Sequence, residues 1–354
     1  MMNIMTTQNL TVAIAVPLEA EHVEAIKAAH PAVTVLYEPE LLPPERFPAD
    51  HAGDPAFTRT PEQETRYWAL LKSADILYGF PNENAAGLAA IAASEKLQWI
   101  QAMAAGAGGA VKAASLSPAN LARIAITSSA GVHALPLAEF AMMGVLNGFK
   151  RTAELSADQA AKHWPELRTP TRLASGSHAV ITGLGEIGLE TARLARALGM
   201  KVSGTKRNVE AIEGIETVTD TAGLPALVAT ADVLINTLPG TAYTEKMLNA
   251  EIFNAMKPGT VLVNVGRGTV IDEDALLEAL DNGQVSYACL DVFAVEPLPA
   301  SSPLWDHPRV MVSPHTSALS AAENRLIAER FSENLTRFQN GEPLLHTVDP
   351  VHFY

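Results

Sequence analysis

The sequence predicts an α/β protein built on two parallel sheets, each covered by helices on both faces. Three observations predict it. Short apolar runs alternate with helix-like stretches, the alternation restarts near Ser177 as a second series, and 354 residues are enough for about two domains with full cores. Strands buried on both faces read as continuous apolar runs, which is the pattern here.

In the first series, residues 11–16 (TVAIAV) read as a strand and 19–29 as a helix. Residues 33–37, 75–78, 97–100 and 123–126 read as further strands. A polar, proline-rich excursion over 43–61 reads as a surface loop. A long helix-like segment, 137 to about 164, reads as a bridge between two domains. The second series places strands at 180–181, 201–203, 232–235, 261–264, 288–290 and 310–312. Lys257-Pro258-Gly259 ends one intervening helix, and Asp272 is placed to N-cap another that closes at Asn282-Gly283. After His315 the chain turns helical again.

Composition narrows the function classes. With 48% apolar and 18% charged residues the chain is globular, and a net charge of −14 without a dense Lys/Arg block argues against nucleic acid or an anionic membrane as partner. A single cysteine, Cys289, excludes an intramolecular disulfide, and its strand-like setting Tyr287-Ala288-Cys289-Leu290 points to packing. No apolar run is long enough to span a bilayer, and Met1-Met2-Asn3-Ile4-Met5 lacks the regions of a signal peptide, so a cytoplasmic location is expected, with no metal.

The residues that carry chemistry begin with Gly183-Leu184-Gly185-Glu186-Ile187-Gly188, between a strand-like run (178–182) and a helix-like run ending at Gly199. In that setting the first glycine permits a tight turn, and the second lets backbone amides approach a pyrophosphate. The third lets helix and strand pack closely, while the helix N-terminus offers partial positive charge. Dinucleotide binding is the expectation. An NAD-binding site of this kind carries Asp or Glu about 20 residues past the glycines, on the ribose 2′-hydroxyl. Here that position is Lys206, 206 − 188 = 18 residues past Gly188, followed by Arg207. Two cations there match an adenosine 2′-phosphate, so NADP(H) is the preferred cofactor, with NAD(H) still open. An exposed basic turn is the plain alternative.

Three further segments lie at the carboxyl ends of later strands, where open α/β sheets place ligands. They are Asn264-Val265-Gly266-Arg267-Gly268, Asp291-Val292-Phe293-Ala294-Val295-Glu296-Pro297 and Ser313-Pro314-His315-Thr316-Ser317. Singly, each has a structural explanation: Arg267 as a helix cap, Glu296 as a turn residue, His315 as a half-buried histidine.

Together, in this order, the segments GLGEIG, NTLPGT, VLVNVGRGTVIDEDAL, LDVFAVEPL and SPHTSA resemble the D-isomer-specific 2-hydroxyacid dehydrogenases, and the likeness extends upstream into LQWIQAMAAGAGG and GVHALPLAEF. The resemblance implies a flavodoxin-like substrate domain (1–132 plus 318–354) and a Rossmann cofactor domain (133–317) facing each other across a cleft. It implies interconversion of a 2-oxo acid and its D-2-hydroxy acid, with Arg267, Glu296 and His315 catalytic. Protonated His315 would supply the proton, Glu296 would orient its ring, and Arg267 would grip the carboxylate and polarise the carbonyl.

The resemblance further places cofactor contacts on Gly183, Gly185, Glu186, Ile187, Gly188, Lys206, Arg207, Thr237, Leu238, Pro239, Val265, Gly266, Arg267, Asp291 and His315. Substrate contacts fall on Ala105 and Gly106 with Arg267 and His315, and side-chain selectivity on Phe80 and Met103. At 104–109 the chain reads AAGAGG, where the family often has Ser-Ala-Gly and a polar residue. A homodimer through the cofactor domains is also implied. Two other readings stand beside this one: a formate- or phosphite-type oxidoreductase, against which Glu296 counts, and a non-enzymatic, corepressor-like dinucleotide sensor.

Overall fold

Both apolar series close into parallel sheets in the computed structural model, which describes residues 10–350; the run Met1-Met2-Asn3-Ile4-Met5 lies outside them. The chain divides into two units, one running to His133 and resuming at Leu319, the other Ala134–Ala318.

In the first unit, β1 (Thr11–Ile14), β2 (Thr34–Leu36), β3 (Ile76–Tyr78), β4 (Trp99–Gln101) and β5 (Ala125–Thr127) pair in the order β2-β1-β3-β4-β5. Every pairing is parallel. This is the doubly wound, flavodoxin-like order that the sequence predicts. The sheet is buried on both faces, with Val12, Ala13, Ile76, Leu77 and Ile100 all 0% exposed. At about 1.5–3 kcal/mol for each fully buried large aliphatic side chain, such strands supply much of the unit's stability. The C-terminal helix Glu323–Asn340 returns to this core, where Phe331 stacks on Trp99 at 4.9 Å and meets Tyr78 edge-on at 5.2 Å.

The second unit holds β6 (His178–Thr182), β7 (Lys201–Thr205), β8 (Thr217–Thr219), β9 (Val233–Asn236), β10 (Thr260–Asn264), β11 (Val285–Leu290) and β12 (Val310–Val312), in the order β12-β11-β10-β9-β6-β7-β8. Successive side chains alternate between two cores: Val180, Leu234 and Leu262 join one, Ala179, Ile181, Val233, Ile235, Val261 and Val263 the other. That period of two, buried on both sides, produces the unbroken apolar runs of the sequence. The order of strand addition reverses between β6 and β9, creating the switch point at which open sheets receive ligands. Asp272 caps the helix Glu273–Asp281 as the spacing predicts, its side chain accepting from the Ala275 N–H.

Two features differ from expectation. β8 has no counterpart in the apolar pattern, because this edge strand is Thr-Val-Thr and only Val218 packs on a core. The single helix expected over 137–164 is two helices, Ala134–Lys150 and Thr152–Ala161, broken at Arg151, which takes a left-handed φ of 56°. The first packs within the second unit. It buries Leu137, Ala141, Val145 and Phe149 in the second unit's core. Cys289 is fully buried, and burial pushes its thiol up to about 12.

Candidate active site

The glycine fingerprint follows β6 and opens the helix Glu186–Ala197. Gly183 turns the chain at φ +95°, a region that side chains rarely adopt. A Cβ on Gly188 would lie 2.1 Å from the Gly183 carbonyl oxygen, so the close packing of helix on turn demands glycine there. Gly185, the helix N-cap, offers no side-chain cap, and a Cβ on it would meet nothing within 4 Å. First-turn amides without a cap, beside open space at the switch point, form a cradle that fits a pyrophosphate.

Lys206 and Arg207 follow the end of β7, the neighbour of β6. Lys206 Nζ contacts Glu210 Oε1 at 2.5 Å, and the hydrogen bond and charge of Lys206 hold the Glu210 carboxyl below its ordinary range. Thr237, Leu238 and Pro239 follow β9, where Thr237 Oγ1 donates to the carbonyls of Thr182 (3.0 Å) and Gly183 (2.7 Å).

A buried polar ladder ties these loops together. Thr182 Oγ1 donates to Asn236 Oδ1 at 2.8 Å, and Asn236 Nδ2 donates to Asn264 Oδ1 at 2.8 Å. Asn264 Oδ1 also accepts the Gly266 N–H at 3.1 Å, while its Nδ2 donates to the Arg267 carbonyl at 3.3 Å. Thr182, Asn236 and Asn264 are all 0% exposed, and a satisfied buried network of this kind fixes geometry. It crosses the carboxyl ends of β6, β9 and β10 and sets the turn that carries Arg267. The readable signal was an asparagine closing each of two apolar strands, in NTLPGT and VNVGRG.

Arg267 is exposed, with Nη1 donating to the Gly266 carbonyl at 2.8 Å. Behind it, a Cβ on Gly268 would lie 1.8 Å from the Phe293 carbonyl carbon, so this glycine lets the Arg267 turn press on the segment leading to Glu296. The Phe293 N–H donates to Glu296 Oε1 at 2.9 Å, and Glu296 Oε2 lies 2.7 Å from His315 Nδ1. Burial works to raise the Glu296 carboxyl. The hydrogen bonds from His315 and Phe293 and the charges of His315 and Arg267 outweigh it, and hold the carboxyl below the usual carboxylate range.

His315 itself sits at φ 55°, an uncommon conformation for a non-glycine residue that carries a strain of about 1–3 kcal/mol. Asp291, 1% exposed, offsets it. Its carbonyl accepts the His315 N–H at 2.9 Å, and its carboxylate accepts the Thr316 and Ser317 N–H groups at 2.9 and 3.0 Å and the Ser313 hydroxyl at 2.6 Å. The Ser317 hydroxyl donates to its second oxygen. Bonds to a charged group contribute about 1.5–3 kcal/mol each, enough to hold the strained turn. Among the described residues the Asp291 side chain therefore bonds the His315 loop, a positioning part that the sequence did not disclose.

Within the second unit the structure thus brings Arg267, Glu296 and His315 together at the carboxyl ends of β10, β11 and β12. In the first unit, Ala105 and Gly106 lie exposed on the turn before the helix Gly108–Ala114. Phe80 and Met103, expected to line a side-chain pocket, are 2% and 1% exposed and pack inside the first unit's core. An apolar side chain just past a strand reads the same in sequence whether it turns inward or toward a ligand.

Comparison with known proteins agrees with this geometry. Residues 142–317 match the family model described as D-isomer specific 2-hydroxyacid dehydrogenase, NAD binding domain. The glyoxylate/hydroxypyruvate reductase A of Salmonella newport (strain SL254) is 34% identical over 220 residues, covering 62% of this chain and 69% of that protein. A D-isomer specific 2-hydroxyacid dehydrogenase from Xanthobacter autotrophicus Py2, solved with NADPH and MES, is similar with a TM-score of 0.75 and 27% identity over 98% of this chain and 100% of that one. An NADPH-dependent glyoxylate/hydroxypyruvate reductase from Sinorhizobium meliloti, solved with NADP and sulfate, gives a TM-score of 0.72 and 28% identity over 98% of this chain and 100% of that one. With the glycine cradle, the switch-point sheet and the Arg267, Glu296 and His315 loops in place, the chain belongs to the D-isomer specific 2-hydroxyacid dehydrogenase family and is an NAD(P)-dependent oxidoreductase.

Proposed function

We propose that this chain is an NADPH-preferring reductase that converts a small 2-oxo acid to its D-2-hydroxy acid, with His315 as the proton donor. The observation that carries the reading is the 2.7 Å contact between His315 Nδ1 and Glu296 Oε2, which fixes one ring nitrogen and leaves Nε2 to serve a substrate oxygen. When bound, the nicotinamide supplies a hydride equivalent to the substrate carbonyl carbon. His315 delivers its Nε2 proton to the carbonyl oxygen as charge develops there, and Glu296 holds the ring and stabilises its cationic form. Arg267 offers a planar fork to the substrate carboxylate and carbonyl. Glyoxylate and hydroxypyruvate are the first substrates to test, since the similar reductases are named for them.

Cofactor choice is read from Lys206 and Arg207. Arg207, whose planar fork matches a phosphate, is assigned the larger share. NADPH should exceed NADH in kcat/KM by roughly ten- to a hundredfold for one such contact, the equivalent of about 1.5–3 kcal/mol. The check is kcat/KM with both cofactors for the parent and for Lys206→Asp and Arg207→Ala. Equal efficiencies in the parent would return the pair to an ordinary basic turn.

A cytoplasmic homodimer joined through the second unit completes the proposal. The segment after Arg151 exposes Leu155 (59%), Trp164 (86%) and Leu167 (89%), a concentration of apolar surface that favours a protein partner. Light scattering after size exclusion should give twice the 37.6 kDa chain mass, and Trp164→Glu with Leu167→Glu should shift it toward the monomer. A monomeric parent would remove this part.

A further inference from the structure

The opposite, amino-terminal edge of the second unit's sheet carries a site of different character. A cavity of about 530 Å³ opens there, between the end of the helix Ala134–Lys150 and the loops that enter β9, β10 and β12. That volume lies within the range of small-molecule sites, about 300–1,000 Å³. Four cations line it, Arg151, Arg172, Lys257 and Arg309, against two carboxylates, Glu154 and Asp232, giving 4 − 2 = +2 in a chain of net charge −14.

The excess charge sits on two particular side chains. Lys257 Nζ is held by Asp232 Oδ1 at 2.6 Å, and Arg151 Nε by Glu154 Oε1 at 2.8 Å. The other Asp232 oxygen accepts the His178 N–H at 2.9 Å, so this carboxylate is committed on both sides. Arg172 and Arg309 make no ion pair among the described residues.

Arg172 is half-buried, its guanidinium 4.4 Å from the Phe149 ring centre, and its Nη2 reaches only Ser286 Oγ, at 3.4 Å. Burial without a close counter-ion holds its pKa below the ordinary arginine value, with Asp232 opposing that shift only from a distance. Its main chain is clamped from both sides: its N–H donates to the Phe149 carbonyl at 3.0 Å, and its carbonyl accepts Lys150 Nζ at 2.7 Å. The arginine is therefore placed in advance. A rigid, partly desolvated cation facing a cavity is an unfavourable arrangement that an anion relieves, and the fixed geometry lowers the entropy lost on binding.

We propose that this cavity binds a small dianion of the phosphate-monoester class, with Arg172 and Arg309 as its charge-bearing contacts. Arginine is suited to the task because its planar fork can present paired donors to phosphate oxygens. Phe149, Tyr287 and Pro308 provide apolar wall for the organic part of the ligand. The site lies at the end of the sheet away from Arg267, Glu296 and His315, so it is distinct from the catalytic loops.

The test is calorimetric titration of the full chain with glycerol 3-phosphate. Saturable one-site binding is expected, weakened about tenfold or more by Arg172→Gln and by Arg309→Gln separately. It should be unchanged by Lys206→Ala with Arg207→Ala, which removes the other candidate phosphate contact. Arg309 makes no side-chain hydrogen bond among the described residues, so its variant remains informative if Arg172→Gln impairs folding. Absence of binding at millimolar ligand overturns the proposal. So does binding that survives both glutamine substitutions, or binding lost only in the Lys206/Arg207 variant. Tighter binding of succinate than of glycerol 3-phosphate overturns the phosphate-monoester assignment.

Discussion

His315→Ala should lower the kcat for reduction of glyoxylate or hydroxypyruvate by about 10²-fold or more, the scale of a positioned general acid and equivalent to about 2.7 kcal/mol of barrier. The side chain is nearly half exposed, Glu296 is its only fixed partner among the described residues, and its backbone is held independently by Asp291. Truncation should therefore leave the fold and NADPH affinity nearly unchanged. Near-normal turnover in this variant would remove His315 from the mechanism.

The pH profile tests the pair. Because the Glu296 carboxyl is held below the ordinary range, its charge persists as the pH falls and is lost only on passing that depressed value. The acid limb from Glu296 should accordingly lie below the usual carboxylate region. Glu296→Gln removes the titrating carboxylate 2.7 Å from His315 Nδ1 and should abolish that acid limb. An acid limb that persists in this variant would mean that Glu296 is not the group that sets it.

The second large effect is expected at Arg267. Arg267→Ala should reduce kcat/KM for 2-oxo acids by about 10²–10³-fold, the scale for losing one donor to developing oxyanion charge. Arg267→Lys should recover little, since a single ammonium cannot reproduce the two-pronged geometry. The turn itself should survive, because Asn264 and Gly268 set it through main-chain contacts that do not involve the guanidinium. Steady-state kinetics on both variants distinguishes the outcomes: full recovery with lysine would show that the position acts only as diffuse positive charge.

The sequence alone determined the two parallel sheets, because strands buried on both faces and the helices between them leave opposite periodicities in the chain. It also determined the dinucleotide cradle, since turn and close packing at Gly183 and Gly188 exclude other side chains, and the helix start at Asp272. Arg267, Glu296 and His315 were legible as an ordered set of loop residues. Their meeting was implied by the family resemblance and not by the residues themselves. It required β10, β11 and β12 to lie side by side and parallel, with Gly268 yielding to the Phe293 backbone.

Tertiary structure alone decided the parts of Asp291 and of the Thr182–Asn236–Asn264 ladder, because a polar residue closing an apolar strand can face water or a buried partner with identical local sequence. It likewise placed Phe80 and Met103 in the core, broke the long helix at Arg151, and admitted β8 as a strand on the strength of its pairing with β7. Local pattern encodes period and turn chemistry. Burial and pairing are properties of residues distant in sequence, and only the folded chain brings those together.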